Sequence, residues 1–327
     1  MPVCSRIIGL GSYVPEKVLT NQELEKMVDT SHEWILDRTG ICERRVASEN
    51  EATSDLAFYA AQDAIKDAGL KPDDLDFIIL ATVTPDMLFP SSACLVQQRL
   101  GVPGIFAFDI SAACSGFIYA LSVANQYIRS GLYRTGLVIG AEIFSRVVDW
   151  TDRNTCVLFG DGAGAAVLQA DNGERGIIST HLHSDGTLWD LLYVPGGGSR
   201  TPPGEDMLRN RLQYIRMRGN ETFKVAVNTL SEVIREALKC NGLTADDIKL
   251  YIPHQANLRI IQAISKKLNV PIERFMINLD AYGNTSAASV PIAFHEAVRK
   301  GRVQEGDYVL LEAFGAGLTW GAALIKW

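Results

Sequence analysis

A chain of 327 residues, 47% hydrophobic and 21% charged, is long enough for two packed halves and has the balance of a globular protein with a large core. Its net charge of −7 argues against a protein coated in nucleic acid, and six cysteines at 4, 42, 94, 114, 156 and 240, none in CxxC spacing, indicate neither a zinc site nor a redox pair. No apolar run reaches the roughly 18 residues of a membrane span, and the run after Arg6 is too short for a signal peptide, so a cytoplasmic protein with reduced thiols is expected.

Residues 6–14 read as a strand. A short helix is expected from Asn21 to about Thr30, capped by Asn21, and then a loop-rich region with Trp34, Arg38 and Arg44-Arg45. A helix from Ser54 to Ala68 stops at Gly69. Phe77-Ile78-Ile79-Leu80-Ala81 is apolar throughout, the pattern of a strand buried on both faces. A loop with Pro85 and Pro90 leads to a helix at about 91–100, then to the β-prone run Gly104–Ala107. Leu137-Val138-Ile139-Gly140 is another buried strand.

Before that strand lies Phe108-Asp109-Ile110-Ser111-Ala112-Ala113-Cys114-Ser115-Gly116, crowded with small residues at its centre. An apolar helix follows and closes on Gly131. A thiol at this junction meets the free N–H groups of a helix start, which favours thiolate. Cys114 is therefore read as a nucleophile; the competing reading is a buried structural cysteine.

The chain also repeats itself. Ala64–Leu75 and Ala237–Ile248, offset by 173 residues, each end a helix, turn at Gly-Leu, pass Asp-Asp and enter an apolar strand. Ser130-Gly131 has a counterpart in Lys300-Gly301, and Val138-Ile139-Gly140 in Val309-Leu310-Leu311. Alternating helices and strands imply parallel sheets covered by helices, in two similar halves of about 1–172 and 173–327. At an offset of 170, Cys114 is expected to match Asn284 in Tyr282-Gly283-Asn284-Thr285-Ser286. The strand Leu250–Pro253 ends at His254. Ligands of open α/β sheets bind at strand carboxyl ends, where a Cys, a His and an Asn can converge.

Cys with His points to nucleophilic acyl chemistry. A protease would use Cys, His and Asn as well, so spacing alone leaves both open. His181 and His183 share a strand face, but no carboxylate or cysteine completes a metal site at a readable spacing. His295 is read as structural, and Cys94, Cys156 and Cys240 as small core residues. Gly160-Asp161-Gly162-Ala163-Gly164 precedes a strand-like run instead of opening a helix, which argues for tight packing over a dinucleotide loop. Gly315-Ala316-Gly317 follows a strand and can place a backbone N–H near the site.

With these segments together, the chain resembles the β-ketoacyl-acyl carrier protein synthase III family along essentially its whole length. The resemblance rests on Glu33-Trp34-Ile35, Arg38-Thr39-Gly40-Ile41, the Cys114 segment, Pro253-His254-Gln255-Ala256-Asn257-Leu258-Arg259, Gly283-Asn284-Thr285-Ser286-Ala287-Ala288-Ser289 and Leu318-Thr319-Trp320-Gly321. It implies a thiolase-like fold, an internally duplicated α/β unit in five layers (αβαβα), as a homodimer. It implies Cys114, His254 and Asn284 as catalytic residues, with the N–H groups of Cys114 and Ala316 forming the oxyanion hole. An alanine at 316, where the family usually has glycine, would be strained if that position needed positive φ. Coenzyme A contacts carry over to Thr30, Trp34, Arg38, Arg153, Asn220 and Asn257, with Trp34 and Arg153 flanking adenine. Phe89 matches a residue that shapes the acyl pocket across the dimer interface. An acidic acyl carrier protein is expected to dock on Gln255, Ala256, Asn257, Leu258, Arg259, Lys266 and Lys267.

The implied reaction is decarboxylative condensation of a short acyl-CoA with malonyl-acyl carrier protein through acyl-Cys114, with acyl-CoA a substrate and no cofactor or metal. A degradative thiolase is disfavoured, because it needs a second catalytic cysteine late in the chain and the last here is Cys240. A condensing enzyme for two long acyl-CoAs, and a non-catalytic acyl-CoA or carrier-binding module, stand as alternatives. The choice of primer and the role of Pro195–Arg211 are not legible.

Overall fold

The computed structural model describes residues 4–327. In chain order its main elements are β1 (Cys4–Tyr13), α1 (His32–Thr39), α2 (Thr53–Asp67), β2 (Phe77–Ala81), α3 (Ser92–Leu100), β3 (Phe106–Ile110), α4 (Gly116–Arg129), β4 (Thr135–Ile143), β5 (Asp161–Asp171), β6 (Gly176–Ser184), α5 (Gly219–Cys240), β7 (Ile248–Pro253), α6 (Leu258–Leu268), α7 (Ser289–Arg299), β8 (Tyr308–Gly315) and β9 (Thr319–Lys326).

One sheet has the order β1-β5-β4-β2-β3, with β4, β2 and β3 parallel. The other has the order β7-β8-β9-β6, with β7 and β8 parallel. Helices α4 and α7 lie between the sheets, α2 and α3 cover the outer face of the first, and α5 covers the second with α6 against it. This is the five-layered thiolase fold. Every residue of β2 and β4 is buried, because helices cover both faces of the sheet. Helix α4 is apolar nearly all round for the same reason. On the outer face, α2 presents Ala60 and Ala64 to β1, whose Gly9 and Gly11 let the backbones meet; a Cβ at Gly11 would lie 2.3 Å from Ala64 N.

Several local expectations shift. The helix expected over Asn21–Thr30 is only Asn21–Leu24, and its cap is Thr20, paired with Glu23 in a capping box. Helix α1 then starts afresh behind Ser31, whose hydroxyl accepts from Trp34 N at 3.1 Å. The strand expected at Gly104–Ala107 runs instead over Phe106–Ile110. It admits Asp109 because that carboxylate accepts from Ser92 N and Ala93 N at 2.7 and 2.8 Å, capping α3. Cys240, expected in the core, is exposed, and all six thiols are free.

The two sheets also correct the register of the repeat. Phe77 pairs with Gly136, and Leu250 with Val309, an offset of 173 for both partners. Ala113 and Ser286, both at positive φ (44° and 50°), open three-residue 3-10 turns that lead into α4 and α7. The counterpart of Cys114 is therefore Ala287, not Asn284. The offset of 170 holds only at the helix ends, because α4 has 14 residues and α7 has 11.

Candidate active site

Cys114 sits in the turn between β3 and α4 and is 3% exposed. The second half grips this turn. Ser115 Oγ lies 2.8 Å from Thr319 Oγ1, and a Cβ on Gly315 would come within 2.6 Å of Cys114 N. Burial pushes the Cys114 thiol up to about 12; the Ser286 hydroxyl beside it pulls the other way, and the charge of Glu142 raises it further. Burial thus works against the lowering expected from the helix start.

His254 follows β7 and donates its backbone N–H to Glu312 O at 2.8 Å. Its Nδ1 lies 2.6 Å from Ser289 Oγ. That oxygen already accepts from Gln255 N at 3.4 Å, so the serine proton is free to point at Nδ1. This assignment leaves the proton of the ring on Nε2. Burial lowers His254 to about 3, so the ring is neutral at physiological pH. Asn284 is fixed with equal definition. Its N–H donates to Leu158 O at 2.8 Å, its C=O accepts from Gly160 N at 3.0 Å, and its Oδ1 accepts from Ser286 N at 2.9 Å. Its Nδ2 remains as a donor. The segment that holds Asn284 is itself tied down by the fully buried Arg44, whose guanidinium donates to Val157 O and Asn21 Oδ1, each at 2.8 Å.

Cys114, His254 and Asn284 line one cavity of about 350 Å³, together with Trp34, Arg38, Asn220, Asn257 and Arg259. The Arg38 and Arg153 guanidinium groups stand 4.7 and 5.2 Å from the Trp34 ring. Arg153 also pairs with Asp29 at 3.4 Å. Thr30, Arg153 and Ala316 lie outside the lining, and Phe89 lies on a surface loop, 83% exposed. Ala316 has no positive φ, so the strain that an alanine there would raise does not arise.

Asn257 caps α6, accepting from Arg259 N at 2.8 Å, and donates to Arg38 O at 3.0 Å. Arg259, Lys266 and Lys267 are exposed on this helix, while Ala256 and Leu258 are half-buried. Gln255 departs from expectation. It is 1% exposed and spends its amide on Pro253 O, Met276 O and Asn278 N, so it cannot meet a docked protein. His181 Nδ1 and His183 Nε2 meet opposite oxygens of Glu236, from α5, at 3.1 and 2.7 Å. A carboxylate thus bridges the two rings, and among the described residues no group of three such side chains is arranged to hold a metal.

Family profiles described as 3-oxoacyl-[acyl-carrier-protein (ACP)] synthase III and its C-terminal part match residues 108–186 and 238–327. A β-ketoacyl-[acyl-carrier-protein] synthase III from Caldanaerobacter subterraneus subsp. tengcongensis is 56% identical over 325 residues, 99% of this chain and 98% of that protein. The chain belongs to the β-ketoacyl-[acyl-carrier-protein] synthase III family. The crystal structure of the 3-oxoacyl-[acyl-carrier-protein] synthase III from Aquifex aeolicus is 52% identical, with a TM-score of 0.93 over 99% of this chain and 100% of that one. That from Thermus thermophilus is 49% identical, with the same TM-score over 98% and 99%.

Four residues around this synthase-family site escaped the sequence reading: Ser289, Ser286, Glu142 and Arg44. Ser286 and Ser289 stand in the Asn284 motif, where nothing in residue order marks their bonds to Asn284 and His254. Glu142 carried a usable signal, an acid directly after the buried run Leu137–Ala141, at the strand end where ligands gather. Arg44 carried none, since a buried arginine looks like any other in sequence.

Proposed function

We propose that this chain condenses a short acyl group from acyl-CoA with malonyl-acyl carrier protein, releasing carbon dioxide and giving β-ketoacyl-acyl carrier protein, the first step of fatty acid synthesis. One observation carries the reading. A thiol and two neutral side-chain donors, each pinned by a serine of the turn before or the start of α7, line a single cavity.

Cys114 takes the acyl group and CoA departs. Malonyl-acyl carrier protein enters next, and His254 Nε2–H and Asn284 Nδ2–H donate to its thioester oxygen. Fixed donors in a water-poor cavity stabilise the enolate that forms as carbon dioxide leaves. The carbanion then attacks the acyl-Cys114 thioester, whose oxygen is held by the N–H groups of Cys114 and Ala316. Trp34, Arg38, Arg153, Asn220, Asn257 and Thr30 hold coenzyme A, the arginines as cations for phosphate. The carrier docks on Arg259, Lys266 and Lys267. The exposed Met87, Leu88 and Phe89 are covered in a homodimer, with Phe89 reaching the partner's acyl pocket. The halves 1–172 and 173–327 derive from one duplicated unit. Among the described residues no helix is long and apolar enough to cross a membrane; action in the cytoplasm is part of the same proposal. Acyl-CoA is a substrate, and the scheme uses no metal or resident cofactor.

Incubation with acetyl-CoA followed by intact mass measurement and peptide mapping tests this. The expected product is a single acetyl adduct on Cys114, absent in Cys114→Ala. An unmodified Cys114 with a free thiol contradicts the scheme.

A further inference from the structure

A neutral histidine ring can present either an N–H or a lone pair to a cavity, and the two do opposite chemistry. With the proton on Nε2, His254 donates to an oxygen that gains negative charge. With the proton on Nδ1, the ring turns a lone pair toward that oxygen, repels it and offers a base instead. The group bonded to Nδ1 therefore decides what the cavity meets. Here that group is the Ser289 hydroxyl, 2.6 Å away, with both residues buried at 2% and 6% exposure.

The surroundings of Ser289 set the direction of this bond. Among the described residues its Oγ has one other polar partner, the N–H of Gln255 at 3.4 Å, which can only donate. Thr229 and Ser231, inside α5, spend their hydroxyl protons on Val225 O and Val227 O one turn back. Ser289 opens α7 and its hydroxyl makes no such bond, so Nδ1 is the acceptor left for its proton. The opposite tautomer would strand that proton in a buried site, which disfavours it by about 10- to 100-fold. His181 shows the reverse arrangement. Its Nδ1 meets the carboxylate of Glu236, a group that accepts and so draws the ring proton to the bonded nitrogen. Among the described residues no carboxylate bonds the His254 ring. Asn284 is oriented by the same logic through the backbone, since Ser286 N–H holds its Oδ1 at 2.9 Å and leaves Nδ2 free. At His254 the selecting proton belongs to a side chain and can be removed by substitution.

We infer that Ser289 is a positioning residue for decarboxylation, whose hydroxyl holds the His254 ring proton on Nε2 and so makes the ring a donor toward the malonyl thioester oxygen and not a base. The inference rests on the condensing activity proposed above. As the bond to the departing carbon dioxide breaks, its electron pair passes through the α-carbon to the thioester oxygen, which His254 Nε2–H and Asn284 Nδ2–H stabilise. Ser289 and His254 each keep their proton throughout, so the pair needs no recharging between turnovers.

Ring-15N histidine labelling reads the tautomer, because protonated and bare ring nitrogens resonate far apart and Nε2 couples to both carbon-bound ring protons. The His254 signals are those missing from His254→Gln. Wild type should carry the ring proton on Nε2 alone. Ser289→Ala should show a mixed or inverted tautomer. Its kcat for carbon dioxide release from malonyl-acyl carrier protein should fall by about 10- to 100-fold, with KM and the rate of acetyl adduct formation on Cys114 each within about threefold of wild type. Ser289→Thr, which keeps the hydroxyl, should recover the wild-type tautomer and most of the rate. A wild-type ring with its proton on Nδ1 would overturn the inference, whether or not any variant folds. Ser289→Ala with the proton still wholly on Nε2 would overturn it as well. An equal fall in both half-reactions with a lowered Tm and an unchanged tautomer would make Ser289 a packing residue only. A wild-type protein that fixes Nε2–H yet releases no carbon dioxide would instead overturn the condensing activity, with the tautomer assignment intact.

Discussion

The turns that open α4 and α7 share a backbone and, in the proposed scheme, divide the chemistry. Each is a 3-10 turn that starts at a residue of positive φ, Ala113 or Ser286, and runs straight into a helix between the sheets. The first presents the Cys114 thiol. The second has the inert Ala287 at the matching place and carries supporting groups around it, with Asn284 before the turn and Ser289 after it. Each turn is also braced by a strand end of the opposite half. Gly315 of β8 abuts Cys114 N, and Gly140 of β4 abuts Ala287, where a Cβ would come within 2.2 Å of its carbonyl oxygen. A repeated backbone thus places two junctions face to face, and in the proposed scheme side chains alone decide that one forms the covalent bond while the other holds the donors.

Asn284→Ala should break this comparison most severely among single changes in the second turn. It removes one donor, at about 10²–10³ in decarboxylation rate, and leaves Ser286 N–H without its partner. Labelled carbon dioxide release from malonyl-acyl carrier protein measures it. The two bracing glycines sharpen the comparison. Gly315→Ala and Gly140→Ala should each lower stability by about 1–3 kcal/mol, read from denaturant unfolding. Gly315→Ala should slow acylation more, because it displaces Cys114, and Gly140→Ala should slow decarboxylation more.

The smallest effect is on stability against pH. His254 is lowered from the ordinary 6.5 to about 3. Between those values the unfolded chain binds a proton that the folded one refuses, so this group costs stability as pH falls below 6.5. Glu142 and Glu312, raised to about 7 and 8, act oppositely, since the folded state then holds protons that the unfolded state releases. The difference between wild type and His254→Gln isolates the histidine. It should be constant above pH 7 and turn against wild type by about 1 kcal/mol at pH 5.5.

Periodicity revealed the buried strands, the middle-layer helix and the basic helix α6, because burial on two faces or one leaves a direct mark on residue order. The Cys114, His254 and Asn284 segments were legible as strand-end junctions and through their motifs. What sequence could not supply was the partner of each polar atom. Gln255 sits in the same motif as His254 and Asn257, yet its amide is consumed by three backbone groups. Glu236 lies 53 residues from His183 and still bridges it to His181. The register error at Asn284 has the same origin. A helix shortened by one turn moves the match by three residues without disturbing the landmarks on either side.

The central claim is that the first turn performs acyl transfer while the groups around the second serve decarboxylation. Measuring both half-reactions on His254→Ala tests it most directly, with labelled acetyl-CoA for adduct formation on Cys114 and labelled malonyl-acyl carrier protein for carbon dioxide release. The account predicts an acetyl adduct formed at a rate near that of wild type and carbon dioxide release reduced by about 10²–10³. A variant that fails to acylate while releasing carbon dioxide normally would make His254 the base for Cys114 and contradict it.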